Sequence, residues 1–279
     1  MKRSLSVAVL ALIASACATY PTIDKRAAML APYASYHAPQ TQGPAPLVIL
    51  MSGCGGMIGA DGNPNTIMEK YAAAAARSGA YAVVVDSFRP RGIDFQSAIH
   101  TVCTGLQLRG KARAGDALAA EKLAEQHWKT EFSHIVLAGW SHGSWTVMEL
   151  LAAGPGAKSV GNLRVEPSAA LTPDAVILFY PYCGFLNGAG AKAWTFQGPI
   201  LLATAEKDTI GSPEACRKMV EGGRPGLLDV EDVVFQGMTH AFDEESQAEG
   251  SSFVYDPETS ARAEALYARF IAQQVARAK

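Results

Sequence analysis

The chain has 279 residues, with 24 Lys and Arg against 26 Asp and Glu, for a formal net charge of −2. Hydrophobic residues make up 49% and charged residues 18%, too apolar and too weakly charged for an intrinsically disordered chain. The near-neutral balance leaves no basic footprint for nucleic acid. No apolar run of about 18 residues follows the N-terminus, which excludes a protein of many membrane spans.

In chain order, Lys2 and Arg3 precede an apolar stretch from Leu5 to Ala14 and the small residues Ala14-Ser15-Ala16-Cys17. That pattern describes an export signal rather than a spanning helix. Residues 1–16 are therefore expected to direct the protein out of a bacterial cytoplasm. Ile13-Ala14-Ser15-Ala16-Cys17 also resembles a lipobox, with Ala14 where that motif prefers Leu. It makes Cys17 a candidate for lipidation and membrane anchoring, the alternative being simple cleavage into the periplasm or medium. Residues 17–46, rich in Pro, Ala and Tyr, read as a tether and irregular lead-in.

From Leu47 the chain takes on a βα rhythm. Leu47 to Met51 is a continuous apolar run stopped by Ser52-Gly53, as expected of a buried parallel strand. Residues 64–78, Ala-rich and closed by Gly79, predict a helix. Tyr81 to Val85 is the next strand, and 105–127 a long helix, weakened at its start by Gly110 and Gly115. Ile135 to Ala138 is a strand, followed by a helix from about His142 to Ala153. Strands at 175–180, 200–204 and 230–235 and helices at 213–221 and 257–277 complete the pattern. Six apolar strands alternating with helices predict one mostly parallel sheet with helices on both faces, in a single α/β domain over 47–279. The longer connections at 154–173, 184–198 and 241–256 are expected to shape a cleft.

Apart from Cys17, the cysteines are Cys54, Cys103, Cys183 and Cys216. An oxidising compartment favours bridges. Order along the chain pairs Cys54 with Cys103 and Cys183 with Cys216, free buried thiols being the alternative. No Cys-x-x-Cys or Cys/His cluster is present, so no metal is expected.

Chemistry concentrates at three strand ends. Gly139-Trp140-Ser141-His142-Gly143 follows a strand and opens a helix. Such a turn holds a strained Ser at the top of a sheet and makes Ser141 the candidate nucleophile. A Ser hydroxyl needs a base and a group to orient that base. Of six histidines, only His240 follows a late strand, where it can hang over the sheet edge as the base. Between them, Asp208 at the apex of the loop after 200–204 is the candidate acid. Glu206 reads as a strand-end residue and Asp174 lies at the wrong edge. The order Ser141, Asp208, His240 is that of an α/β-hydrolase triad. The backbone N–H groups of His142, and of Cys54 in the loop Ser52-Gly53-Cys54-Gly55-Gly56, are candidate donors to an oxyanion. Arg89 and Arg91 are candidate partners of a substrate carboxylate, although fastening their own loop with Asp86 is the simpler role. Trp140 beside the nucleophile is a candidate pocket residue, Trp145 and Trp194 read as core, and Asp243-Glu244-Glu245 with Glu249 as a solvated loop.

The elbow, the turn Glu206-Lys207-Asp208 and above all Thr239-His240-Ala241-Phe242-Asp243 resemble the dienelactone hydrolase family of α/β-hydrolases. Asp86-Ser87-Phe88-Arg89-Pro90-Arg91-Gly92 and Tyr180-Pro181-Tyr182-Cys183-Gly184 resemble its exported, Cys-containing members. The resemblance implies hydrolysis of a small-molecule ester or lactone through an acyl-enzyme, without cofactor. The enzyme that gives the family its name is cytosolic and uses a Cys nucleophile, whereas Ser141 and the export signal favour a more general serine esterase. A peptidase or acyltransferase using the same triad, and an idle lipoprotein that keeps the fold as a binding module, are the competing readings.

Overall fold

Strands made of Val, Ile, Leu and Ala without a polar break have no face to offer water, and so lie inside a sheet covered on both sides. The computed structural model describes residues 20–40, 44–166, 171–245 and 250–278. The export signal at 1–16, Cys17 and Glu249 lie outside the described residues. All six expected strands form: β2 (Leu47–Met51), β3 (Tyr81–Val85), β4 (Ile135–Trp140), β7 (Ala175–Phe179), β8 (Ile200–Ala205) and β9 (Val230–Phe235). They pair in parallel in the order β3-β2-β4-β7-β8-β9. The five expected helices appear as α2 (Ile67–Arg77), α4 (Gly110–Trp128), α5 (His142–Ala153), α6 (Pro213–Gly223) and α7 (Pro257–Arg277).

Side chains alternate across each strand, and the core divides accordingly. Leu47, Ile49 and Met51 of β2 pack with α4 and α5 on one face, while Val48 and Leu50 pack with α2 and α7 on the other. This is the mostly parallel α/β-hydrolase sheet that the sequence implied.

The lead-in departs from expectation. Residues 17–46 are not simply a tether, because they contain α1 (Ile23–Leu30) and an edge strand β1 (Ala34–His37) antiparallel to β3. The Pro-rich composition hides two regular pieces. Thr22 caps α1, which buries Arg26, Ala27 and Leu30 on one side, and β1 covers the sheet's open edge. Residues 154–166 hold a hairpin, β5 (Ser159–Val160) with β6 (Leu163–Arg164). It packs on α4, and none of the described residues of 154–173 borders the cavities around Ser141. The other two expected connections do reach them, through Leu186 and through Ser251 and Phe253. A further stretch of wall comes from a segment not foreseen, α3 (Phe95–Ser97) and the π-helical turn Ala98–Val102 that continues it.

Candidate active site

The turn from β4 into α5 needs glycine on either side of Ser141 because backbones touch there. A Cβ on Gly139 would come within 2.4 Å of the Ser144 nitrogen, and one on Gly143 within 1.9 Å of the Met51 carbonyl oxygen. Ser141 itself is held at φ 51°, ψ −111°, outside the regions comfortable for an L-residue. Its side chain stands at the N-terminus of α5, where unpaired N–H groups and the helix dipole favour negative charge.

The three predicted partners meet there. Ser141 Oγ lies 2.8 Å from His240 Nε2, and His240 Nδ1 lies 2.7 Å from Asp208 Oδ2. The other Asp208 oxygen accepts from the backbone N–H of Ile210 (2.7 Å) and Gly211 (3.0 Å), which fixes the carboxylate plane. All three residues are buried: Ser141 is 8% exposed, Asp208 5% and His240 4%. Glu206, as expected, plays no part in this chain and accepts from the Gly237 N–H at 2.7 Å. Asp174 accepts from the Ile135 N–H at the far end of β4.

His142 begins α5, so its N–H has no acceptor four residues back. Its imidazole turns toward Arg113, with Nδ1 3.4 Å from Arg113 Nη1. Burial, with the Arg113 cation second, holds the His142 imidazole well below its ordinary pKa and therefore neutral. Cys54 lines two cavities that both border Ser141 and His240. One, of about 100 Å³, is lined by Ile67, Met68, Trp140, Tyr180 and Glu244 among others. The second, of about 450 Å³, runs between Ile99, Trp145, Tyr182, Leu186 and Ile210. Trp140 borders the small cavity, yet it is 1% exposed and stacked on Phe179, so most of the ring is core. Trp145 is buried, as expected, at 2% exposure, and also borders the larger cavity; Trp194 is buried and donates to the Ala189 carbonyl.

Two expectations are corrected. Arg89 and Arg91 border neither cavity. Arg89 Nε binds Asp86 at 2.6 Å, and Arg91 grips Asp116 with two nitrogens at 2.8 and 3.0 Å. Each is held by a buried carboxylate, and both fasten the β3–α3 loop. The acidic run after His240 is not solvated at its start either. Asp243 is 2% exposed and accepts from the Tyr71 and Tyr180 hydroxyls at 2.6 Å each, and Glu244 accepts from Asn65 beside the small cavity.

Glu244 provides a pH signature. Burial pushes its pKa up to about 7, the Asn65 hydrogen bond works against this, and the Asp243 charge adds to it. The unfolded carboxyl titrates at about 4.3, so the native state holds this proton more tightly. The stabilisation from the protonated carboxyl is fully present below about pH 4.3 and is lost as pH rises through about 7. Glu244→Gln, which keeps an acceptor for Asn65, is expected to raise the melting temperature more at pH 8 than at pH 5. An equal shift at both values would contradict this account.

Sequence reasoning missed Arg113. On α4 and 0% exposed, it donates from Nε to Ser87 Oγ (2.8 Å), from Nη1 to the Ser52 carbonyl (2.6 Å) and from Nη2 to Ser52 Oγ (3.0 Å). It thus anchors the residue from which the glycine loop departs.

The family profile described as Dienelactone hydrolase family matches residues 33–275. Among solved structures, the chain is similar to a dienelactone hydrolase-like promiscuous phosphotriesterase from metagenomic libraries. The two are 19% identical, with 86% of this chain and 92% of that one covered and a TM-score of 0.61. An alpha-beta serine hydrolase homologue from Coxiella burnetii is 18% identical, with 85% and 90% covered and a TM-score of 0.55. Esterase 2 of Thermogutta terrifontis, solved phosphorylated by paraoxon, is 16% identical, with 86% and 88% covered and a TM-score of 0.61. At these identities the likeness is one of fold. No curated protein matches by sequence.

Proposed function

Because this chain belongs to the dienelactone hydrolase family, we propose that it hydrolyses carboxylic esters or lactones through an acyl-enzyme on Ser141. The observation that carries this reading is the unbroken hydrogen-bond chain from Ser141 Oγ through His240 to Asp208. As Oγ attacks the substrate carbonyl, His240 Nε2 takes its proton, and Asp208 holds the ring and the charge that forms on it. The developing oxyanion is received by the N–H groups of His142 and Cys54. His240 then returns the proton to the leaving alcohol, and water repeats the sequence on the acyl-enzyme. The unequal cavities, about 100 and 450 Å³, suit an ester with one short arm and one longer, apolar arm.

A peptidase or an acyltransferase would use the same residues, and an idle binding module would retain them without turnover. Paraoxon separates an idle binding module from a poised nucleophile, because its tetrahedral phosphorus imitates the ester intermediate. The Thermogutta esterase was solved phosphorylated by this compound. Incubation is expected to release one p-nitrophenol per chain and to leave a phosphorylated peptide containing Ser141, read by mass spectrometry. No burst, or a label elsewhere, would count against the assignment.

A further inference from the structure

The loop that carries the Cys54 N–H is Ser52-Gly53-Cys54-Gly55-Gly56, three glycines in five residues, a sequence with little conformational preference of its own. Its position is set from outside. Arg113 holds Ser52, Gly55 and Gly56 face the rings of Phe95 and Phe88, and Cys54 is bonded to Cys103, 49 residues on. The segment on which it leans has only a small core of its own, made of Phe88, Ile93, Ala98 and Val102 and separate from the two main clusters. Segments with few buried apolar contacts open locally at low cost. Cys54, Cys103 and Ile99 also form part of the wall common to both cavities beside Ser141 and His240, the rest coming from Ser251 and Phe253. The disulfide therefore ties a flexible oxyanion loop to a weakly held wall at the point where substrate must sit.

We propose that the Cys54–Cys103 bond is a positioning element of the reaction, with Cys103 acting through Cys54, so that turnover requires this one bond to be oxidised. The inference rests on the ester hydrolase reading above. Reduction by a dithiol adds two electrons and two protons, leaves Cys54 and Cys103 as thiols, and converts the dithiol to its cyclic disulfide. The loop and the turn Ala98–Val102 can then separate, and the oxyanion loses a fixed donor while the triad stays in place.

The second bond, Cys183–Cys216, supplies the control. It closes a loop of comparable length, 33 residues against 49, so both bonds constrain the unfolded chain to a similar degree. Neither Cys183 nor Cys216 borders the two cavities. Cys183→Ala/Cys216→Ala is expected to keep kcat for p-nitrophenyl butyrate while losing thermal stability. Dithiothreitol added to that variant below its melting temperature should lower kcat by about 10–100-fold, short of the 10²–10³ for outright loss of a donor. KM should change far less, far-ultraviolet circular dichroism should be unchanged, and diamide should restore the rate. Cys54→Ser/Cys103→Ser should show the same low kcat without reductant. A reduced protein that keeps its kcat overturns the inference and leaves the hydrolase reading intact. Failure of the oxidised protein to turn over any ester fails that reading instead.

Discussion

Ser141→Ala is expected to lower kcat for p-nitrophenyl acetate and butyrate by about 10⁴–10⁶-fold, the scale on which removal of a triad nucleophile acts. The protein should stay folded. Alanine meets the same backbone strain at φ 51°, and the lost hydroxyl contributes one hydrogen bond, to His240. Asp208→Asn is expected to cost about 10⁴-fold, because an amide presented to His240 Nδ1 stabilises the wrong tautomer. The Ile210 and Gly211 N–H groups would still hold the side chain in place. Steady-state kinetics beside thermal melts separates chemistry from folding. Ser141→Ala retaining kcat within tenfold of the wild type would remove Ser141 from its assigned role.

The sheet and the three meeting residues were legible because both depend on local order along the chain. Unbroken apolar runs such as Leu47–Met51 admit few fates other than a buried strand, and a nucleophile, acid and base that follow β4, β8 and β9 are carried to one edge by the parallel topology. What was not legible depends on partners far apart in sequence. Nothing near Arg113 and Asp116 in the sequence reveals that Ser52, Arg26 and Arg91 converge on them. Asp243 looked solvated because Tyr71 and Tyr180 lie 172 and 63 residues away. Gly110 and Gly115 weakened the expected helix for a sound local reason, yet here they let other elements approach. A Cβ on Gly110 would overlap the Trp145 ring at 2.5 Å, and one on Gly115 would meet Leu163 at 2.8 Å. Propensity gave way to packing, as it does wherever a helix is enclosed. The one signal that could have exposed Arg113 is compositional: a charged residue set among the small residues Ala112, Ala114 and Gly115 of a helix whose buried side is mostly Ala and Gly.

Arg113→Met should be the most damaging substitution outside the triad, in both stability and rate. The guanidinium is 0% exposed and lies 4.8 Å from the Phe88 ring. Burial brings its pKa down to about 10, against the pull of Asp116 and Asp86, so at pH 7 it remains a cation. Methionine fills much of the same space but leaves the Ser52 carbonyl without its side-chain donor and Asp116 with fewer cations around it. Removing one partner from a buried charged network costs about 3–5 kcal/mol, a large share of the roughly 5–15 kcal/mol that holds a domain folded. A fall in melting temperature of about 10 °C follows from the usual slope for a domain of this size. The rate should fall as well, because the Ser52 carbonyl precedes Gly53, whose Cβ position is 3.7 Å from that of Ser141. Release of Ser52 lets the whole glycine loop drift from the nucleophile. Measured at a temperature where the variant is folded, kcat should drop while KM holds. Arg113→Lys should recover more of the stability than of kcat, since an ammonium restores the charge but not the three-way grip on Ser52 and Ser87. A variant that melts with the wild type would show that Ser52 is held by other means, and the loop's position would then rest on the disulfide and on Phe88 and Phe95.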